Sequence, residues 1–169
     1  MAITNYQTVA DRKGFEGQVA TTEHTVIRTA SNGMDGVLPF GRVIVEATPA
    51  TRGESPVATV ISAAGQSVLG VAIATTIQQI DHESIDANGD RGYADKRPVG
   101  YIVEGFFYGI VEEDVTPADP VFVRFGGTGK PGQFRTDADT ASAEDLSARF
   151  KFAEVAAAGE VCKIEVLKR

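Results

Sequence analysis

Hydrophobic and polar residues alternate with a period of two in several short segments of the chain. The alternation is clearest at residues 121–125 and 163–168. Successive side chains of a strand point to opposite faces, so this pattern indicates strands with one buried face.

Six segments are rich in Val, Ile, Thr, Phe and Tyr, the residues that favour strands. They are residues 18–29, 42–48, 68–79, 99–110, 119–125 and 150–167. Gly, Pro and Asn separate them, and short strands with dense turn residues are typical of sandwiches and barrels. We therefore predict an all-β fold, a small β-barrel or sandwich domain.

Only residues 141–149 have a helical pattern. Thr140 or Ser142 could cap a helix there, and Glu144 and Asp145 would lie near its positive end. The segment is short, so a loop with one helical turn fits it equally well. The prediction is at most one short helix in the whole domain.

The N-terminal residues lack a strand period and are predicted to form an extended arm, residues 1–20, before a single barrel-like domain, residues 21–169. The arm contains four apolar residues that a merely solvated tail would not need: Ile3, Tyr6, Val9 and Phe15. An arm of this kind can become ordered when it binds a partner. Alternatively, these residues pack on their own barrel as its first strand.

Composition and charge limit the classes of function. The chain has 169 residues, 43% of them hydrophobic, and a net charge of −7, with 16 basic residues among 23 acidic ones. Its apolar runs fall short of the roughly 18 residues that a membrane helix needs. Nucleic-acid binding requires clustered Lys and Arg, so neither nucleic acid nor a membrane is expected as a partner.

The sequence does not predict a metal site. Cys162 is the single cysteine and is expected to be a small buried residue, which excludes an internal disulfide and a multi-thiolate site. The acids of residues 86–90 have the spacing that opens a calcium loop. Arg91 and Arg97 occupy the positions that require Gly and a bidentate Glu, so a solvated turn is the better interpretation.

A glycine-rich stretch at residues 127–132 matches the letters G-x-G-x-x-G of a dinucleotide site. That motif needs a helix after the turn, whereas Pro131 lies within this stretch and residues 133–136 continue as a strand. We interpret it as the loop of a hairpin between residues 121–125 and 133–136. No cofactor is predicted.

No catalytic residues are predicted, and the protein is not expected to be an enzyme. Residues 65–70 resemble a nucleophile elbow but have one residue too many before the second Gly. His24 and His82 are expected to be solvent-facing, and a triad would need one of them. The acidic clusters are interpreted as charged loops.

Four fragments occur in an order and at a spacing that resemble a known family. They are VLPFGRV at residues 37–43, LGVAI at 69–73, PVGYIV at 98–103, and the run from Asp114 to Arg124, which ends in Val-x-Val-Arg. In this order they resemble the structural cement family, the head decoration proteins of tailed bacteriophages. Two stretches depart from the pattern, residues 49–67 and 106–108.

The resemblance implies a mechanical function without catalysis or a cofactor. A protein of this family would bind the outer surface of the phage head and stabilise the mature capsid. Its implied partners are the major capsid protein and further copies of itself, as a homodimer or homotrimer. The implied location is the outside of the virion head, after synthesis in the host cytoplasm. Ile3, Tyr6, Val9 and Phe15 are the candidate contacts with the capsid.

Two other classes of function compete with this interpretation. A carbohydrate- or receptor-binding β-domain would need an exposed aromatic platform, for which Phe106, Phe107 and Tyr108 are the candidates. A small β-barrel hydrolase would need the triad or metal spacing that the sequence lacks.

Overall fold

The computed structural model describes residues 14–21, 24–48, 54–74 and 83–168, and this part of the chain contains thirteen strands and no helix. The strands are β1 (Val26–Asn32), β2 (Leu38–Pro39), β3 (Val43–Thr48), β4 (Val57–Val60), β5 (Val68–Ala72), β6 (Glu83–Ile85), β7 (Arg91–Tyr93), β8 (Pro98–Ile110), β9 (Phe122–Arg124), β10 (Phe134–Arg135), β11 (Ala143–Asp145), β12 (Phe150–Phe152) and β13 (Val161–Val166).

Five strands form a closed barrel. Their order is β1-β4-β3-β5-β8, and β8 pairs back onto β1. The β1–β4 pair is parallel, and the other four pairs are antiparallel. Closure removes the open edges that an antiparallel sheet would otherwise present. The predicted all-β barrel is therefore confirmed.

The 13-residue strand β8 belongs to two layers of the molecule. Its first half pairs with β1, from Pro98 to Glu104, and its second half pairs with β13, from Gly105 to Ile110. Gly105 lies at the junction with φ 122°, a value that side-chain-bearing residues rarely adopt. The glycine lets one strand pass from the barrel into the second sheet.

Alanines pack among larger side chains in the smaller of the two buried clusters. This cluster receives residues from all five barrel strands, including Ala30, Ala58 and Ala72. Tyr93 of β7 joins this cluster, and its hydroxyl donates a hydrogen bond to the carbonyl of Ile73 (2.5 Å). A closed five-stranded barrel is narrow, which is why alanine recurs inside it.

The outer face of the barrel packs against the second sheet. Val43 and Val71 of the barrel share a buried cluster with four phenylalanine rings from later strands. The ring of Phe134 lies 5.6 Å from that of Phe107 and 5.5 Å from that of Phe150. Edge-to-face and tilted aromatic pairs of this kind add to the stability gained by burial. This layer is the larger of the two hydrophobic cores.

The predicted hairpin around the glycine-rich stretch is present. Strands β9 and β10 pair antiparallel, with Phe134 opposite Val123 and Arg135 opposite Phe122. Gly127 and Gly132 have φ of 81° and 82°, so the loop uses the conformations that glycine allows.

The helix considered for residues 141–149 does not form. Residues Ala143–Asp145 are instead strand β11, antiparallel to β9. Asp139, Thr140 and Ala141 have φ of 39°, 54° and 66°, which a right-handed helix cannot accommodate. Pairing with β9 thus outweighs local helix propensity, which is a weak determinant against tertiary contacts.

Two predicted strands have different limits in the structure. The segment at residues 150–167 divides into β12 and β13, which pair with each other. In the segment at residues 18–29 the strand β1 starts only at Val26, while Val19 forms an isolated bridge to Phe107. Residues 75–79 of another predicted strand, and residues 49–53 of the divergent stretch 49–67, lie outside the described residues.

Candidate functional site

Residues 14–20, which we call the strap, lie along the second half of β8. The amide of Gly17 donates to the carbonyl of Tyr108 (2.7 Å), and the amide of Tyr108 donates to the carbonyl of Gln18 (2.9 Å). The amide of Ala20 donates to the carbonyl of Phe106 (2.8 Å). Since β13 occupies the other edge of β8, the strap closes the edge that would be open. The described part of the predicted arm is therefore held on the second half of β8 by backbone pairing.

Gly17 fits the strap tightly against the barrel. Its φ is 81°, and a Cβ there would lie 2.7 Å from the Cβ of Phe40. Its carbonyl accepts a hydrogen bond from the amide of Ala74 (2.8 Å). A side chain at this position would both strain the backbone and push the strap away.

A buried charged group contacts the strap. Arg42, which precedes β3, is 1% exposed, and its Nε lies 3.3 Å from Oε1 of Glu16. Its Nη2 lies 3.4 Å from Oδ2 of Asp90, whose Oδ1 is 2.5 Å from Nζ of Lys130. We call Glu16, Arg42, Asp90 and Lys130 the Arg42 cluster. It joins the strap, the barrel, the turn before β7 and the β9–β10 loop.

Burial raises the pKa of the Glu16 carboxyl above its usual range. The positive charge of Arg42 opposes this shift, Asp90 adds to it, and Lys130 opposes it. The desolvation of the Glu16 carboxylate therefore affects its pKa more than the attraction of the neighbouring cations does.

The predicted aromatic patch is not a continuous exposed surface. Phe107 is 0% exposed and belongs to the larger core, because alternate residues of β8 face inward. Phe106 is half-buried, with Nζ of Lys163 4.8 Å from its ring centre. Tyr108 is half-buried beneath the strap, where a Cβ on Gly14 would collide with its ring.

Of the four predicted contact residues, Phe15 is the one that lies among the described residues. Its side chain is 48% exposed, although the next residue, Glu16, is half-buried. The other three candidates, Ile3, Tyr6 and Val9, lie outside the described residues. Other large apolar side chains are also exposed, namely Val26, Ile27, Ile85 and Val155.

Sequence reasoning missed a second charged network, on the β9–β10 hairpin. Glu112 accepts from Arg124 Nε (2.6 Å) and from Arg135 Nη1 (3.0 Å). Arg124 also pairs with Asp139 (2.7 Å), and Arg135 pairs with Asp137 (2.6 Å). The available signal was the pair of arginines in the predicted hairpin strands, which the acidic clusters could neutralise. The network fixes the hairpin and its following loop.

Acid should weaken this network. The amide of Asp139 and the guanidinium of Arg135 hold the pKa of Asp137 below its usual value. A lowered pKa gives stability that is present above the unfolded-state pKa and is lost as the pH falls through the folded-state value. We expect the urea midpoint to fall between pH 7 and about pH 3, and to fall less in Asp137→Asn. The exposed Asp35→Asn serves as the control, and an equal fall in wild type and Asp137→Asn would contradict the expectation.

The motifs set aside in the sequence have structural roles. Oδ1 of Asp86 accepts from the amides of Asn88 and Asp90 (2.8 Å each), so the calcium-like spacing builds a turn. Lys130 of the glycine-rich loop belongs to the Arg42 cluster. Cys162 is buried, His24 is exposed, and His82 lies outside the described residues.

No group of three or more His, Cys, Asp or Glu side chains in the described segments is arranged to hold a metal ion. The same segments contain no helix that is long and apolar enough to cross a membrane. A cavity of about 420 Å³ lies against β1, β3, β5 and β8. Arg28, Glu46 and Tyr101 are among its lining residues, so charges of both signs face it.

The fold and its anchored strap define the chain first as an all-β barrel protein whose N-terminal segment completes a sheet. Comparison with known proteins then identifies the family. The family model described as "Structural cement protein (E217 gp24/Pam3 gp6)" matches residues 4–167. The chain therefore belongs to the structural cement protein family of bacteriophages. It is a phage structural protein, and the family implies that it associates with the capsid.

A solved structure supports the same fold. A chain from "The capsid of Myoviridae Phage XM1" has a TM-score of 0.66 and 15% identity, with 92% of this chain and 91% of that chain covered. At this identity the likeness establishes the fold alone. The base of head fiber gp8.5 from bacteriophage phi29 is 12% identical over 86% of this chain and 99% of that one. Its TM-score of 0.39 is too low to establish a common fold. No curated protein sequence matches the chain.

Proposed function

We propose that this protein is a head decoration protein, which binds the outer surface of the mature head lattice and stabilises it. Membership of the structural cement family over residues 4–167 is the observation that carries this proposal. A protein that binds the mature lattice better than an opened one stabilises the closed shell by mass action. The protein needs neither catalysis nor a cofactor for this function.

The proposed partners are the major capsid protein and further copies of the chain, as a homodimer or homotrimer. An oligomer that spans neighbouring capsid subunits gains avidity, because each additional contact becomes intramolecular. Many weak contacts repeated over the lattice can therefore hold the shell closed against the pressure of the packaged DNA, without any single strong binding site. The acidic net charge of −7 favours a basic complementary surface on the capsid.

The proposed contact is the part of the arm that carries Ile3, Tyr6, Val9 and Phe15. Phe15 is 48% exposed and directly precedes Glu16, whose Oε1 lies 3.3 Å from Nε of Arg42. Ile3, Tyr6 and Val9 precede Phe15 and supply the remaining apolar contacts in this proposal. An extended arm can also add a strand to a neighbouring sheet edge, which requires little sequence specificity.

A sedimentation assay tests the proposed function. Purified protein is mixed with expanded heads of the same phage that lack decoration, and with unexpanded shells. We expect saturable binding to expanded heads, weaker binding to unexpanded shells, and a higher disruption temperature for decorated heads. Absence of binding to expanded heads, or binding without any gain in their thermal stability, would refute the proposal.

Residues 106–108 do not form the exposed aromatic platform that the carbohydrate-binding alternative requires. Phe107 is fully buried, and Phe106 and Tyr108 are each partly covered by neighbouring residues. A sugar-binding platform needs exposed aromatic faces.

A further inference from the structure

The backbone of the strap forms regular hydrogen bonds, whereas the contact between its Glu16 side chain and Arg42 is incompletely hydrogen-bonded. Its amides and carbonyls form strand-like hydrogen bonds with β8. By contrast, Oε1 of Glu16 and Nη1 of Arg42 are buried without a hydrogen-bond partner in the described part of the chain. Buried polar atoms that lack such partners reduce stability. The contact between Glu16 and Arg42 therefore opposes the docking that the backbone hydrogen bonds favour.

Glu16 competes for a cation that is already shared. Arg42 also faces Asp90, and Asp90 is in turn paired with Lys130. Among the described residues, the charges that act on Glu16 are those of Arg42 and Lys130, which attract its carboxylate, and Asp90, which repels it. Although Glu16 lies 3.3 Å from Arg42, the pair does not have hydrogen-bond geometry. A partly compensated carboxylate in such a place favours its neutral form.

We propose that the strap is a pH-sensitive closure of the β8 edge. Protonated Glu16 keeps the strap docked, and ionised Glu16 promotes its release. Release uncovers the backbone of Phe106 and Tyr108, which pair with the strap when it is docked. An uncovered edge of this kind can accept a strand from another polypeptide. The inference concerns the free protein and goes beyond binding to the head.

The direction of the pH effect follows from linkage. Burial raises the pKa of Glu16 in the docked state. Docking is then strongest below the pKa of the released state, and it weakens as the pH rises through the docked-state value. Because one proton is involved, the opening equilibrium can increase by no more than about tenfold per pH unit.

Hydrogen–deuterium exchange of the full chain tests the closure. Uptake in peptides covering residues 14–20 and 104–110 is measured at about pH 5 and about pH 8, at times corrected for the intrinsic exchange rate. We expect uptake in both peptides to increase at the higher pH, while uptake in residues 161–166 stays constant. The variant Glu16→Gln should show low uptake at both pH values, and Glu54→Gln, an exposed control, should behave as wild type.

Two results would overturn the inference. One is equal corrected uptake of the wild-type strap at both pH values, a measurement that requires no variant to fold. The other is increased uptake in Glu16→Gln, which would mean that the negative charge of Glu16 holds the strap in place. Because no heads are present, neither result depends on whether the protein decorates a capsid.

Discussion

Deletion of residues 2–20 is expected to lower the free energy of unfolding by about 3 kcal/mol or more, since buried backbone hydrogen bonds contribute about 1 kcal/mol each. The deletion removes the three bonds between the strap and β8, and the bond from Ala74 to Gly17. It also removes Val19, which packs on the larger core. Deletion of residues 2–13 keeps the whole strap and should change stability by less than about 0.5 kcal/mol.

The melting temperature Tm distinguishes the two deletion variants. For a domain of this size, a loss of about 3 kcal/mol lowers Tm by roughly 6–12 °C. The shorter deletion should keep the wild-type Tm but bind expanded heads with sharply reduced occupancy, because it removes Ile3, Tyr6 and Val9 of the proposed contact. Unfolding of the shorter deletion, or undiminished occupancy on heads, would disprove the arm hypothesis. A wild-type Tm for the longer deletion would show that the strap does not stabilise the barrel.

Phe134→Ala is expected to cost about 3–5 kcal/mol of stability, the range for removing a fully buried aromatic ring. Phe134 is 0% exposed, and its ring lies between those of Phe107 and Phe150. Its strand has two residues and cannot shift to fill the cavity without breaking the pairing with β9. Urea denaturation at neutral pH measures the loss.

Phe15→Ala provides the matched control, because it makes the same chemical change at an exposed position. We expect its stability to stay within about 0.5 kcal/mol of wild type and its occupancy on expanded heads to decrease. The main effect of Phe134→Ala should instead be the loss of folding stability. If both variants lost the same stability, the assignment of Phe134 to the core would be contradicted.

The period-two patterns and the turn residues were sufficient to predict an all-β domain. Residues 42–48 and 99–110 were predicted almost to the limits of β3 and β8. The hairpin around the glycine-rich loop was also predicted, because Gly and Pro determine a turn locally. These features depend on residues close together in sequence, so they can be predicted without knowledge of the fold.

The contacts of the charged residues could not be predicted from the sequence, because they join residues that are far apart along the chain. Arg42 and Glu16 are far apart in the sequence, and docking of the strap on β8 brings them within 3.3 Å. The segment at residues 141–149 has a helical composition but forms β11, because β9 offers it a strand partner.

The sequence by itself determined the strand periodicity, the turns and the resemblance to the cement family, since each is a property of short runs of residues. Only the tertiary structure decided that Phe107 is buried rather than part of an exposed patch, and that the strap completes β8. The physical reason is that burial and strand pairing depend on which segments meet in space. A strand such as β8, shared between two layers, has neighbours that its own residues cannot specify.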